Sequence, residues 1–404
     1  MKFIKKILIF LLITFLLPVY STADDFVDEE TDYITTLETS SNLESINLSS
    51  KYCLVLERST NTVLFEQNGY DKTAMASTTK IMTAIIAIEN SNLNDIVNIS
   101  SKAANTGGST LGISSNTTMT MESLLYGLLL RSGNDCAVAI AEHIGGSLEN
   151  FALLMNKKAK DLRLSNTNFV TPHGLDSNEH YTTAYDLAIL TNYALKNETF
   201  YRIVGTKSCN ILVGDSSRNI ANTHELLGIT EGLYGVKTGF TGNAGRCLVS
   251  ACKRDNFDII VVVLGAATKK QRTIDSINLI NYIYKNFEMY NFENLFNNAF
   301  SNFLNNHSNN ILVAKSTDSP QFVSSKPDTY IFPIKKMHIK KINCSIYTLK
   351  KINTPISKGT KIGIVQISVS NDPILNLDIL LKNNLEKKDF KQYFIQILKT
   401  ISDN

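Results

Sequence analysis

A serine and a lysine stand one helical turn apart in the segment AMASTTKIMTAIIAIE, as Ser77 and Lys80. Residues with this spacing share one face of a helix, so the lysine amine can reach the serine hydroxyl. A serine hydroxyl is a weak nucleophile at neutral pH and needs a base. A lysine in a desolvated site beside a second cation loses its proton near neutral pH. Ser77 is therefore the candidate nucleophile and Lys80 the candidate base, although a serine at this position can also simply cap a helix.

A second motif, Ser132-Gly133-Asn134, interrupts a run of helical periodicity that ends at a Gly-Gly stop. A loop between two helices can point side chains into a cleft. Ser132 is the candidate for passing a proton to a leaving amine, and Asn134 for holding Lys80 and a substrate amide. In isolation, the same three residues are an ordinary turn.

The third motif is Lys237-Thr238-Gly239, which lies among Val- and Ile-rich runs typical of sheet strands. Lys237 is the candidate second cation, and Lys237 and Thr238 are candidates for binding an anionic substrate group. The backbone N–H groups of Ser77 and of Phe240, just after Gly239, are the candidate donors to a tetrahedral oxyanion. Each motif alone is weak evidence, but the three in this order and context indicate acyl transfer through a serine.

Metal chemistry receives no support from the sequence. The six histidines are scattered and no H-E-x-x-H string occurs, which argues against a zinc hydrolase. His173 lies between Pro172 and Gly174, a turn pattern, so it receives no catalytic role. The six cysteines lack metal-ligand spacing and are expected to be mostly buried thiols, with one disulfide pair as the exception. We expect no metal and no cofactor.

The first residues, MKFIKKILIFLLITFLLPVYSTADD, run from lysines through an apolar stretch to small residues. This order predicts a signal peptide over residues 1–23 and a protein that acts outside the cytoplasm, in the cell wall or at the outer face of the membrane. The alternative is an uncleaved anchor, although the apolar run is shorter than the ~20 residues that span a bilayer. Loss of three lysines with this segment leaves 37 basic against 37 acidic residues, a balance that argues against a nucleic-acid partner.

The rest of the chain divides into four predicted parts. Residues 24–48 form an acidic, flexible lead. In residues 49–287, strands, then helices, then strands predict an α+β catalytic domain with an antiparallel sheet flanked by helices. Residues 288–378, with short alternating runs, predict a small all-β domain. Residues 379–404 predict an amphipathic helix, which either lies on a membrane surface or packs on its own β domain.

Longer segments extend the three motifs, among them LLYGLLLRSGNDCAVAIAEHIGG, NTNFVTPHGLDSNEHYTTAYDLA and GVKTGFTGNAGRCLVSA. From Lys51 to Phe287 the chain resembles the serine D-alanyl-D-alanine carboxypeptidases, the low-molecular-mass penicillin-binding proteins. The resemblance implies a penicillin-binding, β-lactamase-like catalytic domain, an added β domain and a C-terminal membrane anchor. It also implies removal of the terminal D-alanine from peptidoglycan stem pentapeptides through an acyl-serine intermediate, with covalent inhibition by β-lactams.

Two residues depart from the family pattern. Members often carry a histidine after Lys-Thr-Gly, where this chain has Phe240, so an altered substrate preference is expected. Some relatives bind the substrate carboxylate through an arginine on the following strand, but Asp258 stands at the comparable place. Arg246 is the candidate replacement.

Two other functions share this scaffold. A β-lactamase of this type needs a glutamate to activate the deacylating water, and the corresponding E-x-x-L-N string is missing between Ser132 and Lys237. A non-catalytic wall-binding protein has no need for intact Ser77, Lys80 and Asn134. The sequence therefore favours the carboxypeptidase.

Overall fold

The structure, a computed structural model, describes residues 46–316, 318–392, 394, 395 and 398. The chain divides into two compact units, residues 1–283 and 284–404. This division falls just before residue 287, where the sequence predicts the catalytic domain to end. The predicted signal peptide, and the predicted lead up to residue 45, lie outside the described residues.

The first unit contains a hairpin, a group of helices and three long strands. Its strands are β1 (Tyr52–Glu57), β2 (Val63–Gln67), β3 (Ile96–Asn98), β4 (Thr118–Thr120), β5 (Ser208–Val213), β6 (Ser216–Ala221), β7 (Leu233–Thr241), β8 (Gly245–Arg254) and β9 (Phe257–Ala266). Its helices are α1 (Lys80–Asn90), α2 (Ser101–Ala104), α3 (Met121–Leu130), α4 (Asn134–Gly145), α5 (Leu148–Asp161), α6 (Ala184–Ala194), α7 (Glu198–Val204) and α8 (Lys269–Asn286), the last of which runs into the second unit.

An antiparallel sheet with the order β2-β1-β9-β8-β7 forms the centre of this unit. Val55 of the first strand lies opposite Val261 of the last, so the two ends of the unit pair directly. Strands β1, β8 and β9 are buried along most of their length, as the apolar residues that dominate their central parts require. The α+β fold with an antiparallel sheet flanked by helices is thus confirmed.

Helix α1 lies among the other helices of this unit. Its residues from Lys80 to Ala87 are all buried, and it packs against α3, α4 and α6. Apolar or small residues on every side suit a helix that touches neighbours all round. Helix α6 begins as its threonine-rich start predicts, because the Thr183 hydroxyl accepts a hydrogen bond from the Asp186 backbone N–H.

The second unit is mainly β-structure. Its elements are β10 (Phe287–Asn291), α9 (Glu293–Asn302), β11 (Leu312–Ala314), β12 (Phe322–Ser324), β13 (Ile331–Lys335), β14 (Ile342–Thr348), β15 (Lys351–Asn353), β16 (Lys361–Val369) and β17 (Asp372–Leu381). Four strands form one sheet in the order β12-β17-β16-β14. Helix α9 lies in the Asn-rich segment, where Phe292, Phe296 and Phe303 join the core of this unit.

The end of the chain differs in detail from the predicted boundaries. Strand β17 runs to Leu381, past residue 378, and Leu385 is still buried and pairs with Ile356. Helical residues begin at Phe390, so the described helix starts later than the predicted residue 379. Tyr393, Ile397 and Ile401 of the predicted apolar face lie outside the described residues. No helix in the described part of the chain combines the length and the apolar character needed to cross a membrane.

Candidate active site

Ser77 lies in a 3-10 turn, Ala76–Thr79, that leads directly into α1. The neighbouring hydroxyls bond backwards within the turn, from Thr78 to the Met75 carbonyl at 2.6 Å and from Thr79 to the Ala76 carbonyl at 2.8 Å. Ser77 is half-buried, whereas its neighbours on both sides are buried. The turn therefore leaves Ser77 partly accessible to solvent and buries its other residues.

Lys80, in the first turn of α1, is fully buried. Its Nζ lies 2.8 Å from Ser77 Oγ, 2.7 Å from Asn134 Oδ1 and 2.8 Å from the His173 carbonyl oxygen. The amine is thus surrounded by oxygen atoms from three separate parts of the chain. Burial of a lysine at this depth requires such partners.

Ser132 lies in the predicted loop between α3 and α4, and Asn134 is the first residue of α4. Ser132 is fully buried in a left-handed conformation, with a φ of 60°, and its Oγ accepts a hydrogen bond of 2.9 Å from Lys237 Nζ. Asn134 donates through Nδ2 to the Gly107 carbonyl at 2.7 Å, which fixes the direction of the Oδ1 that faces Lys80. The structure therefore joins the first and second motifs through Asn134, and the second and third through Ser132.

Strand β7 is the edge of the central sheet and passes beside the Ser77 turn. A Cβ atom on Gly239 would lie 3.1 Å from the Ser77 backbone nitrogen, so only glycine allows this close approach without a shift. Thr238 Oγ1 lies 2.9 Å from the Thr223 hydroxyl oxygen. The backbone of β7 at Gly239 and the backbone N–H of Ser77 are thus close neighbours.

Phe240 and Arg246 face each other across the β7–β8 pair. The guanidinium carbon of Arg246 lies 3.8 Å from the centre of the Phe240 ring, a cation–π contact. Asp258 is the second residue of β9. It accepts hydrogen bonds from Arg58 at 2.6 Å and from the Tyr234 hydroxyl at 2.7 Å. Asp258 therefore belongs to a structural ion pair away from the Ser77 turn.

The segment around His173 contributes to the site through its backbone, which the sequence analysis missed. Its carbonyl accepts from Lys80, while Gly174, with a φ of +89°, crosses the Ser77 turn. A Cβ atom on Gly174 would lie only 1.9 Å from the Ala76 carbonyl oxygen. Burial, and next the charge of Lys80, lowers the pKa of the His173 side chain to about 3. The Pro-His-Gly pattern signals the turn but not the lysine that it contacts.

Two carboxylates, the buried Asp135 and the half-buried Glu225, form contacts that no sequence signal indicated. Asp135 accepts hydrogen bonds from the backbone N–H groups of Leu111, Gly112 and Ile113, at 3.0, 2.8 and 3.2 Å, and so holds the loop before β4. In α8, Arg272 donates to Glu225 at 2.6 Å. Burial raises the pKa of Glu225, but the charge of Arg272, the hydrogen bond from Thr273 and smaller contributions together outweigh burial and lower this pKa to about 2.

A family model described as D-alanyl-D-alanine carboxypeptidase matches residues 38–268, more than half of the chain. The chain belongs to this family. A second model, the C-terminal domain of penicillin-binding protein 5, matches residues 313–387. The family match confirms the predicted resemblance and the enzyme class, a serine-type D-alanyl-D-alanine carboxypeptidase.

Individual relatives agree with the family match. The chain is 32% identical to D-alanyl-D-alanine carboxypeptidase DacF of Bacillus subtilis, over 84% of this chain and 87% of that protein. Its identity to DacC of Escherichia coli is 27%, over 86% of this chain and 87% of that protein. The crystal structure of DacD from Francisella tularensis superimposes with a TM-score of 0.69 and 25% identity, covering 89% of this chain and all of that one.

No group of three or more histidine, cysteine, aspartate or glutamate residues in the described part of the chain is placed to hold a metal ion.

Replacement of Gly174 by alanine is expected to inactivate and destabilise the protein. The new Cβ would meet the Ala76 carbonyl and push the Ser77 turn, at a cost of roughly 3 kcal/mol in the free energy of unfolding. Gly146→Ala is the matched control, because Gly146 has a similar φ of +71° but open space around it. The control is expected to lose only about 1 kcal/mol and to keep its activity. If the two variants lost the same free energy of unfolding in urea denaturation, the proposed clash would be contradicted.

Acid is expected to destabilise the fold through His180. Its Nδ1 accepts from the Val170 backbone N–H at 2.9 Å, so the neutral ring donates through Nε2 to Thr79 Oγ1 at 2.8 Å. Burial is the main cause that lowers the pKa of His180 from 6.5 to about 4. Between pH 6.5 and about 4, this histidine binds a proton in the unfolded chain but not in the folded chain. The free energy of unfolding therefore decreases as the pH falls through this window.

The slope of unfolding free energy against pH measures this effect. His180→Gln keeps one acceptor and one donor but cannot titrate, so it is expected to reduce the slope by up to about 1.4 kcal/mol per pH unit. His143→Gln, a change at an exposed residue, is the control. An unchanged slope in His180→Gln would show that this histidine does not carry the acid sensitivity.

Proposed function

We propose that this protein removes the terminal D-alanine from peptidoglycan stem pentapeptides, with Ser77 as the nucleophile and Lys80 as its base. The observation that carries the proposal is the 2.8 Å distance between Ser77 Oγ and Lys80 Nζ in a socket closed by two further acceptors. A neutral amine has two N–H groups and one lone pair. Asn134 Oδ1 and the His173 carbonyl accept the two N–H groups, which directs the lone pair at the Ser77 hydroxyl.

In the acylation step, Ser77 Oγ attacks the carbonyl carbon of the penultimate D-alanine while its proton passes to Lys80. The carbon–nitrogen bond then breaks, and the proton taken up by Lys80 is relayed through Ser132 to the leaving amine of the terminal D-alanine, so that Ser132 ends the step protonated. The hydrogen bond of 2.9 Å from Lys237 to Ser132 supports this role, because a nearby cation makes the serine hydroxyl a better proton donor. The product is an ester between Ser77 and the shortened peptide, which water hydrolyses to regenerate the serine.

The oxyanion that forms at the attacked carbon needs two preorganised donors. We assign the backbone N–H groups of Ser77 and Phe240 to this role, and the close approach of Gly239 to the Ser77 nitrogen supports the assignment. Because β7 is an edge strand, an extended substrate peptide can pair along it. We assign binding of the terminal carboxylate and its surroundings to Lys237, Thr238 and Arg246. The Arg246 guanidinium stacks on Phe240.

A β-lactam presents a cyclic amide to the same nucleophile, so we assign it as a covalent inhibitor that acylates Ser77. Labelled penicillin is expected to attach to the protein, and Ser77→Ala to abolish both the labelling and the release of D-alanine from a stem pentapeptide. Ser216→Ala, at an exposed serine of the β5–β6 hairpin, is the control that keeps both. Labelling of Ser77→Ala in a one-to-one ratio would refute the nucleophile.

We also propose that the protein is exported by residues 1–23 and contacts the membrane surface through its C-terminal helix. Phe390, Phe394 and Leu398 repeat at helical spacing, and their exposed fractions are 85, 54 and 50%. Such an apolar stripe, beside Lys387 and Lys391, suits the interface of an anionic bilayer.

The membrane contact can be tested by vesicle sedimentation. Because Leu385 is buried, the truncation removes residues 389–404 and leaves the β domain intact. This truncation and the triple variant Phe390→Ser, Phe394→Ser, Leu398→Ser are expected to lose at least tenfold in binding to anionic vesicles. A control replaces Leu312, Val323 and Tyr347, exposed elsewhere in the same unit, by serine. Unchanged binding of the truncated protein would favour a helix that packs on its own domain.

A further inference from the structure

An open groove lies along the second half of α5 and the segment that follows it. We call it the α5 groove; its volume is about 790 Å³, and the residues that matter here are Leu153, Asn156, Lys157, Lys160, Arg163 and Asn168. The lining among the described residues includes three cations and no carboxylate. Leu153, with 68% of its surface exposed, adds an apolar patch at one side.

The three cations of the groove face solvent. Lys157, Lys160 and Arg163 are exposed, and none of them forms an ion pair with another described residue. The next lysine on α5 behaves differently, because Lys158 turns to Glu89 and bonds it at 2.6 Å. The helix thus neutralises the lysine that faces the protein and leaves the groove positively charged. A concave cationic surface attracts and orients anions.

A short rigid segment connects the α5 groove with the Ser77 site. Asn156 holds Phe169 through two hydrogen bonds, of 2.7 Å to its carbonyl and 2.8 Å from its N–H. Four residues later, the His173 carbonyl bonds Lys80. The five residue-to-residue steps from Asn168 to His173 span at most about 17 Å, about the length of an extended pentapeptide. A polymer held at Ser77 can therefore reach the groove with a neighbouring part of itself.

We propose that the α5 groove is an exosite for a second stem peptide of the peptidoglycan strand whose first stem peptide occupies the Ser77 site. The proposal rests on the proposed function. Each uncross-linked stem peptide ends in a carboxylate, so a strand presents repeated anions, whereas a single pentapeptide in the Ser77 site has its terminal carboxylate bound at that site. The groove then increases the affinity for the polymer and leaves the chemical step unchanged.

The test compares one protein on two substrates. Lys157→Gln, Lys160→Gln and Arg163→Gln are combined, and D-alanine release is measured from a free pentapeptide and from uncross-linked peptidoglycan strands stripped of phosphate polymers. On strands, kcat/KM is expected to fall about tenfold, through KM, with a weaker dependence on salt. On the free pentapeptide, kcat/KM is expected to stay within about twofold. The control combines Lys51→Gln, Lys102→Gln and Lys196→Gln, which are exposed and do not line the groove.

A binding assay separates the exosite from the catalytic proposal. Ser77→Ala protein is sedimented with insoluble strands, with and without the three groove substitutions, and these are expected to lower binding about tenfold. Equal kinetic losses on both substrates, an equal loss in the control, or unchanged binding overturns the exosite. So does a loss seen only with strands that retain phosphate polymers, because the ligand would then be that polymer. If the unsubstituted protein releases D-alanine from neither substrate, the proposed function fails while sedimentation still decides on the exosite.

Discussion

The structure depends on one buried amine and the three oxygen atoms around it. Lys80 Nζ contacts Ser77, Asn134 and His173, which come from a 3-10 turn, an interhelical loop and a Pro-His-Gly turn. A lysine without such partners is costly to bury, so these contacts fix where the three segments lie relative to α1. The same atoms that satisfy the amine also direct it at the serine hydroxyl. Stability and the proposed chemistry therefore share a single set of hydrogen bonds.

Backbone conformations that side chains rarely adopt surround this amine. Ala76 and Ser132 have φ angles of 47° and 60°, and Gly174 has one of +89°. Conformations of this kind persist only where the surrounding contacts over-determine them. Here the sheet lies on one side, with Gly239 against the Ser77 turn, and the helices around α1 lie on the other. The site is placed where the two layers meet, so its geometry depends on the packing of the whole unit.

We propose that the surface of the same unit extends recognition beyond the reacting atoms. Segment 168–173 contacts Lys80 at one end and α5 at the other, so the chain between the Ser77 site and the α5 groove spans at most about 17 Å. Phe240 and Arg246 add a stacked apolar and cationic wall at the edge strand. Under the proposed assignments, specificity is distributed over groups that need not touch the scissile bond.

Much of this protein was determined by its sequence alone. The strand–helix–strand pattern predicted the α+β fold, because helical and strand periodicities are local properties. The spacing of Ser77 and Lys80 and the order of the three motifs indicated acyl transfer through a serine, and the resemblance of the longer segments implied the carboxypeptidase class. Tertiary structure decided the rest. The contacts of the His173 carbonyl, of the Asp135 carboxylate and of the Arg272–Glu225 pair all depend on residues distant in sequence, and backbone groups carry no residue-specific signal. The β-domain boundary also lay beyond local patterns, because pairing across the sheet carries β17 to Leu381.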